Sequence, residues 1–206
     1  PTPDRCFSLF SKLGFRTLLP EYAPTASTVE KDYALIKSTN ELERLLDAIR
    51  AAGRCGVRVL ADTPQAMRAD VVGIAMSTGP RRARYLPLGH RALGADTGVD
   101  RGAALELVGR MLADPVVCKA GHDLKTDGIV LARHGVALDG IDIDTMIAAY
   151  LLDASTHTLE DLALEHVGYK AIAVEGVVGR GAKALSLADL PPEGVLEFAA
   201  ERSDLA

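Results

Sequence analysis

The apolar positions between residues 33 and 53 follow a strand pattern first and a helical pattern second. Residues 33–37, YALIK, are typical of a strand. Ser38 and Glu41 have the spacing of a capping box, which marks the start of a helix. The apolar residues that follow recur every three or four positions, as on one helix face: Leu42, Leu45, Leu46 and Ile49. We therefore predict a strand and an amphipathic helix that ends at Gly53.

Three strand-like runs come next. They cover residues 57–61 (VRVLA), 70–76 (DVVGIAM) and 84–89 (RYLPLG), and only short connections separate them. Parallel neighbours would need a long crossover between them, so the close spacing favours antiparallel hairpins.

Helices and strands alternate in the second half of the chain. The predicted elements are a helix over 102–112 after Asp100, a strand over 116–119, a helix opening at Asp123, a strand over 141–143, a helix over 145–152 capped by Asp144, and helices over 158–167 and 192–201. Antiparallel hairpins followed by this alternation predict a mixed-sheet α/β domain.

The N-terminal part is organised differently. Apolar residues with near-helical spacing occur within residues 1–19: Phe7, Phe10, Leu13 and Phe15. Residues 18–32, LLPEYAPTASTVEKD, carry prolines and small polar residues that are typical of a linker. A new unit is expected to begin near Tyr33. The start at Pro1 without Met suggests an excised or processed piece of a longer protein.

Composition and charge narrow the function classes. The 206 residues fit one domain of ordinary size with some extra at the ends. The net charge is −5, whereas an independent nucleic-acid binder usually has a basic surface. The Arg81, Arg82 and Arg84 cluster is too small to reverse this and is interpreted as a solvated loop. Attraction to DNA would have to come mostly from elsewhere.

Cysteine usage and apolar runs indicate the compartment. The three cysteines, Cys6, Cys55 and Cys118, are odd in number and widely spaced, which favours a reducing cytosol over a disulfide framework. Cys118 lies in the apolar run 116–118 and is expected to be buried. Apolar runs are too short to span a membrane, and no signal-peptide pattern opens the chain. We expect a cytoplasmic protein with no membrane partner.

The helix predicted at Asp123 carries the first candidate chemistry. Asp123 and Asp127 are four residues apart, so their carboxylates would share one helix face just past a strand end. Such a pair can hold a divalent metal or position a water. The alternative is a solvated helix start, since an acidic first turn suits the helix dipole and Lys125 lies between the two residues.

Ordered segments of the chain resemble one enzyme family. They are ADTP followed by MRADVVGIAM, then YLPLGH, ADPVVCKAGHDLKTDGIVLARHGV, IDIDTMIAAYLLD, HTLEDLALEHVGYK and EFAAERSD. Over residues 33–206 the chain resembles the 3′–5′ exonuclease (proofreading) domain of bacterial family A DNA polymerases, the DNA polymerase I type. Residues 1–22 resemble the end of the 5′-nuclease domain that precedes it, which makes residues 23–32 a linker. The resemblance implies a ribonuclease H-like fold, with a mixed five- or six-stranded sheet flanked by helices.

The resemblance also implies a catalytic site, and this chain departs from it. The family hydrolyses a 3′-terminal phosphodiester with two divalent metals held by four acidic side chains, while a tyrosine orients the water. Asp62 and Asp127 match two of the four acidic positions. The remaining matches are altered: Asp123 stands at a usual Asn, Pro64 at a Glu, Phe198 at the Tyr and Arg202 at the last Asp.

These departures predict a degenerate nuclease. The metal positions at Asp62 and Asp127 are expected to be weak or unoccupied, because hard cations need several oxygen ligands. No cofactor is expected in this piece, apart from Mg²⁺ or Mn²⁺ if activity remains. The leading hypothesis is a monomeric, inactive scaffold between 5′-nuclease and polymerase domains, which would meet DNA through the full-length polymerase. The alternatives are a residually active exonuclease that uses Asp62, Asp123 and Asp127, and a module that binds a single-stranded 3′ end without cutting it.

Several further residues have competing interpretations. Asp204 would replace the lost acid only if the alignment slips, and a two-residue shift turns it by about 200° away from the face of Phe198 and Arg202. Arg202 is hypothesised to pair with Asp62 or Asp127 in place of a metal.

The remaining candidates are weaker. His90 is interpreted as a hydrogen-bonded structural residue, Asp142 and Asp144 as turn and N-cap residues, and GRGAK (179–183) as a flexible connection without the full phosphate-loop pattern.

Overall fold

The computed structural model describes residues 2–15, 17–92 and 98–206. In chain order, the helices and strands are α1 (Pro3–Leu13), α2 (Leu19–Tyr22), β1 (Asp32–Leu35), α3 (Thr39–Ala52), β2 (Arg54–Ala61), β3 (Val71–Gly79), β4 (Arg82–Pro87), α4 (Arg101–Leu112), β5 (Cys118–Gly121), α5 (Leu124–Ala132), β6 (Ile141–Asp144), α6 (Thr145–Leu151), α7 (Leu159–Leu162), α8 (Val174–Val178) and α9 (Pro192–Asp204). A π-helical turn, Ala163–Val167, extends α7. No helix among the described residues is long and apolar enough to cross a membrane.

The six strands form one mixed sheet in the order β1-β4-β3-β2-β5-β6. The neighbours β2 and β3, and β3 and β4, pair antiparallel, while β1 with β4, β2 with β5, and β5 with β6 pair parallel. Helices flank the sheet, so the predicted mixed-sheet α/β architecture with antiparallel hairpins is confirmed.

The capping residues named from the sequence lie at helix ends. Ser38 accepts a hydrogen bond from the Glu41 N–H, and Gly53 ends α3 in the left-handed conformation at φ 69°. Asp100 caps α4, and Asp144 caps α6 by accepting from the Met146 N–H. Polar caps satisfy N–H groups that a helix leaves unpaired in its first turn, which is why these starts are readable from sequence.

The apolar core lies on both faces of the sheet. On one face, α3, α4 and α5 pack against the strands, and the fully buried residues there include Leu42, Leu46, Ile49, Val108 and Leu131. On the other face, α9 contributes Val195, Phe198 and Ala199. Gly56 lets α9 approach β2 closely, because a Cβ at this position would lie 1.9 Å from the backbone oxygen of Ser203. This close approach places the C-terminal end of α9 against the first residues of β2.

The strand predicted over residues 116–119 begins later than expected. β5 starts at Cys118, and Val116 is 80% exposed in the preceding turn. Cys118 is exposed, so the expectation that it is buried is wrong. Side chains alternate across a strand, and here the alternation buries Lys119 instead. Its Nζ donates to the Asp114 backbone oxygen, which offsets part of the cost of burying the ammonium group.

The proline-rich stretch 18–32 is helical in its first part, since it contains α2, and Lys31 near its end forms an ion pair with Glu197 at 2.8 Å. One local expectation needs correction. The arginine cluster is not a solvated loop, because Arg84 lies in β4 with its Nη2 3.0 Å from Asp32.

Candidate active site

A cavity of about 460 Å³ opens where the end of β2 meets α5 and α9. Its polar lining residues are Arg58, Asp62, Thr63, Thr126, Asp127, Ser186 and Arg202. Its apolar wall includes Pro64, Val130, Val174, Val178, Leu185, Leu187 and Phe198. The fold therefore brings five of the six residues named from the sequence to one cavity, and Asp123 is the exception.

Asp127 lies on α5 and is 1% exposed. Its Oδ2 accepts a hydrogen bond from the Val59 N–H on β2 at 2.9 Å. Its Oδ1 lies 3.4 Å from Nη1 of Arg58, and the same nitrogen donates to the His122 backbone oxygen at 2.7 Å. Burial raises the pKa of Asp127 to about 7, although the Arg58 charge and the Val59 N–H act in the opposite direction. Both carboxylate oxygens of Asp127 thus already have partners within the protein.

Asp123 does not line the cavity that Asp127 lines. It is the N-cap of α5, with left-handed backbone angles of φ 60° and ψ 48°, and its side chain accepts from the Thr126 N–H. Its own N–H donates to Oδ1 of Asp144 at 3.0 Å. The Asp123 carboxylate is thus used in capping α5, while its charge contributes to raising the pKa of Asp127.

Asp62 follows the last residue of β2. Its Oδ1 accepts from the Asp70 N–H at 2.9 Å, and its Oδ2 lies 3.9 Å from Nη1 of Arg91. The Asp62 backbone oxygen accepts from Oγ of Ser186 at 2.9 Å, which ties the segment after α8 to the end of β2. Pro64, two residues further along, lines the cavity and supplies no ligand atom.

Phe198 and Arg202 reach the cavity from α9. The Arg202 guanidinium carbon stacks over the Phe198 ring at 4.4 Å from its centroid, and Nη2 forms an ion pair with Glu160 on α7. Burial lowers the pKa of Arg202, and Glu160 opposes this. The hypothesis that Arg202 pairs with Asp62 or Asp127 is therefore wrong. Arg58 is the cation beside Asp127, and Arg202 has a partner on another helix.

The comparison with known protein families matches a 3′–5′ exonuclease family model to residues 33–204. This chain belongs to the 3′–5′ exonuclease domain family of DNA polymerase I. Over the whole chain it is 29% identical to DNA polymerase I of Pseudomonas aeruginosa, of which it covers 24%. Over 87% of the chain it is 30% identical to DNA polymerase I of Chloroflexus aurantiacus, of which it covers 19%. The chain thus spans about a quarter or less of these relatives.

Solved structures with the same fold extend this comparison. The POL domain of Pol1 from M. smegmatis, in complex with DNA primer-template and dNTP, is 28% identical, with a TM-score of 0.56 over 82% of this chain and 29% of that chain. RNase D of Escherichia coli, an exoribonuclease, is 19% identical, with a TM-score of 0.60 over 84% of this chain and 42% of its own. The second similarity supports the fold alone.

The exonuclease domain family implies divalent metals, and the side chains at this cavity do not fit them. Of the described residues that line it, only Asp62 and Asp127 carry carboxylates, while Arg58 and Arg202 add two positive charges. No group of three or more His, Cys, Asp or Glu side chains within the described ranges is arranged to hold a metal ion. Mg²⁺ and Mn²⁺ prefer several hard oxygen ligands and are repelled by guanidinium groups.

Asp204 does not line the cavity and has partners elsewhere. Asp204 accepts hydrogen bonds from the Tyr33 hydroxyl at 2.7 Å and from the Arg81 N–H at 2.8 Å. It lies on a different face of α9 from Phe198 and Arg202, as helix rotation predicts.

The residues that were weaker candidates for a site in this exonuclease domain make hydrogen bonds or belong to regular structure. His90 bonds with the Tyr85 hydroxyl at 2.8 Å and with the Leu190 backbone oxygen at 2.7 Å. Asp144 caps α6, whereas Asp142 lies in β6 with an exposed side chain, so its interpretation as a turn residue is wrong. GRGAK includes a 3₁₀ turn, Gly181–Lys183. His90 and Asp144 thus have the structural roles predicted for them.

Sequence reasoning missed the residues that neutralise charge in this exonuclease domain, namely Arg58, Arg91 and Glu160. One signal for Arg58 was present, since it is the charged position between Val57 and Val59 in an apolar strand. Glu160 lies 42 positions from Arg202 in the chain, and no local pattern connects the two.

Proposed function

We propose that this chain is a 3′–5′ exonuclease domain of a DNA polymerase I that no longer hydrolyses DNA and acts as a scaffold. The observation that carries the proposal is the pair of arginines, Arg58 and Arg202, in the lining of a cavity with only two carboxylates among its described residues. Two-metal hydrolysis needs a negative site that binds both cations, and this lining is close to neutral.

The positions around the two aspartates support the same proposal. Phe198 has no hydroxyl to orient a water, and Pro64 has no oxygen ligand in its side chain. Asp127 accepts the Val59 N–H and lies beside Arg58, so one of its oxygens is already used and its charge is partly neutralised. Asp62 accepts the Asp70 N–H. Two carboxylates that already have these partners supply too few oxygen ligands for two hard cations.

The proposal extends to the domain boundaries and to the longer protein of which this chain would be a part. Residues 1–22 would be the end of a 5′-nuclease domain, residues 23–32 a linker and residues 33–206 the exonuclease-like domain. The domain would act in the bacterial cytoplasm as one part of a longer polymerase, and the polymerase would supply most of the contact with DNA. The net charge of −5 supports this division of labour.

The test is an exonuclease assay on a single-stranded oligonucleotide labelled at its 3′ end, with Mg²⁺ or Mn²⁺. We expect the wild type and the Asp127→Ala variant to trim the oligonucleotide no more than a contaminating nuclease would, and to the same extent, because neither holds a metal pair. Metal-dependent trimming that is present in the wild type and lost in Asp127→Ala would refute the proposal. The paired variant separates this outcome from a contaminating nuclease, whose activity would remain in both preparations.

A further inference from the structure

Residues 24–31, which we call the strap, have backbone partners in the folded domain and in the strap itself. The Lys170 N–H donates to the Pro24 backbone oxygen at 2.9 Å, and Thr25 pairs with Lys170 in a parallel bridge. Within the strap, the Thr28 hydroxyl closes a turn by accepting from the Thr25 N–H at 2.8 Å. A backbone with such partners has fewer open conformations than a flexible linker has.

Lys31 ends the strap, and its side chain is only 5% exposed. Its Nζ lies 2.8 Å from Oε2 of Glu197 and 3.9 Å from Oε2 of Glu201, both on α9. The same nitrogen lies 4.9 Å from the centroid of the Tyr33 ring and 6.0 Å from that of Tyr169. Two carboxylates and two aromatic rings therefore surround one ammonium group, and both kinds of group attract a cation.

The burial of Glu201 distinguishes this contact from a surface ion pair. Glu201 is 1% exposed and accepts hydrogen bonds from the Tyr169 hydroxyl at 2.5 Å and from the Ile172 N–H at 2.6 Å. Ion pairs between fully exposed side chains contribute little to stability. Loss of Lys31 would leave a buried carboxylate with less compensation for its lost hydration, which is a larger effect.

The N-terminal helices α1 and α2 form a hairpin that contacts the same part of the domain. Within the hairpin, the Phe10 ring centroid on α1 lies 5.3 Å from that of Tyr22 on α2. Phe7 of α1 lies against Gly168, where an added Cβ would be 3.0 Å from the Phe7 ring. Gly168 is two residues from Lys170, so the hairpin and the start of the strap rest on one short segment.

Apolar packing is incomplete beneath the strap. Pro24 and Val29 line a cavity of about 340 Å³ together with Tyr169 and Leu205 of the domain. Side chains that border a cavity make fewer contacts than those in a packed core. The polar contacts of Lys31 therefore carry much of the attachment.

We propose that Lys31 anchors the strap to α9 and Tyr169, and that this anchor holds the α1–α2 hairpin in one orientation relative to the sheet. None of the described residues that line the cavity at Asp127 belongs to the strap, so the anchor does not depend on whether hydrolysis is lost. In the polymerase proposed above, the anchor would fix how the preceding domain joins this one. That consequence rests on the proposed function, whereas the anchor itself does not.

The test is ¹⁵N relaxation of the full 206-residue chain. In the wild type we expect backbone order parameters of about 0.85 for the strap and α1, as in α3. Lys31→Met removes the charge and keeps a long side chain, so the order parameters of the strap should fall below about 0.6. Glu197→Gln removes the nearest carboxylate at an exposed position and should lower them less. Lys37→Met, at an exposed lysine outside the strap, is the matched control and should match the wild type.

Residual dipolar couplings of the same samples measure orientation. In the wild type, the amide couplings of α1 and β2 should fit one alignment tensor. In Lys31→Met, α1 should need a tensor of its own, because the hairpin then moves relative to the sheet.

Three results would overturn the inference: a mobile strap in the wild type, equal order parameters in Lys31→Met and Lys37→Met, or a single tensor for α1 and β2 in Lys31→Met. If Lys31→Met does not fold, the comparison of Glu197→Gln with Lys37→Met decides, and equal order parameters reject the anchor. Failure here is distinct from failure of the proposed function. A mobile strap refutes this inference alone, and metal-dependent trimming of DNA refutes the proposed function alone.

Discussion

At the scale of single residues, the site is defined by how its charges are paired. Asp127 is buried, accepts the Val59 N–H and faces Arg58 at 3.4 Å. A buried carboxylate without a partner is costly, and here Arg58 is the fixed cation beside it. The resemblance predicted a loss of acidic positions, but not that Arg58 instead of Arg202 lies beside Asp127. That choice depends on a contact between β2 and α5, which no local pattern encodes.

Asp127→Asn should change how stability depends on pH. Burial raises the pKa of Asp127 to about 7 from its ordinary value of 3.8, so the folded state favours its neutral form. Its contribution to stability is fully present below pH 3.8 and is lost as the pH rises through about 7. From about pH 5 to about pH 8, the free energy of unfolding of the wild type should fall by roughly 1–3 kcal/mol more than that of the variant.

Urea denaturation at the two pH values measures this difference. Asp47→Asn, at an exposed position on α3, is the control for replacing an acid by its amide. Parallel stability curves for the wild type and Asp127→Asn would contradict the burial argument.

At the scale of elements, close packing of α9 on β2 sets the geometry of the cavity. Sequence periodicity predicted α9 and β2 individually, and capping residues located several helix starts. The error at β5 shows the limit of this approach, because an apolar run does not show which side chains of a strand point into the core. Cys118 was thereby expected inside, where Lys119 lies. The contact of α9 with Gly56 is likewise visible only in three dimensions.

Gly56→Ala should destabilise the protein by roughly 2–4 kcal/mol, because the new methyl group would lie 1.9 Å from the Ser203 backbone oxygen and push α9 from the sheet. Thermal or urea unfolding measures the loss. Gly176→Ala in α8 is the matched control, since a Cβ there meets nothing within 4 Å. Equal stability of the two variants would show that α9 is not held at this distance.

At the scale of the whole molecule, the fold of a nuclease domain is retained while the charge pattern of its candidate site differs from what two metals require. The fold class followed from hydrophobic periodicity, and the order of sequence segments indicated the family that the comparisons then showed. The assembled cavity was predictable only in outline. Pro64, Phe198 and Arg202 were recognised as altered positions, whereas the partners Glu160 and Arg91 come from distant segments of the chain.

The central claim is that this cavity does not bind a pair of divalent cations, and Mn²⁺ binding tests it most directly. Electron paramagnetic resonance of free Mn²⁺, titrated with the protein, reports every ion that becomes bound. The account predicts that the wild type and Asp127→Ala reduce the free Mn²⁺ signal equally and only weakly. Saturable binding of Mn²⁺ by the wild type that disappears in Asp127→Ala would contradict it.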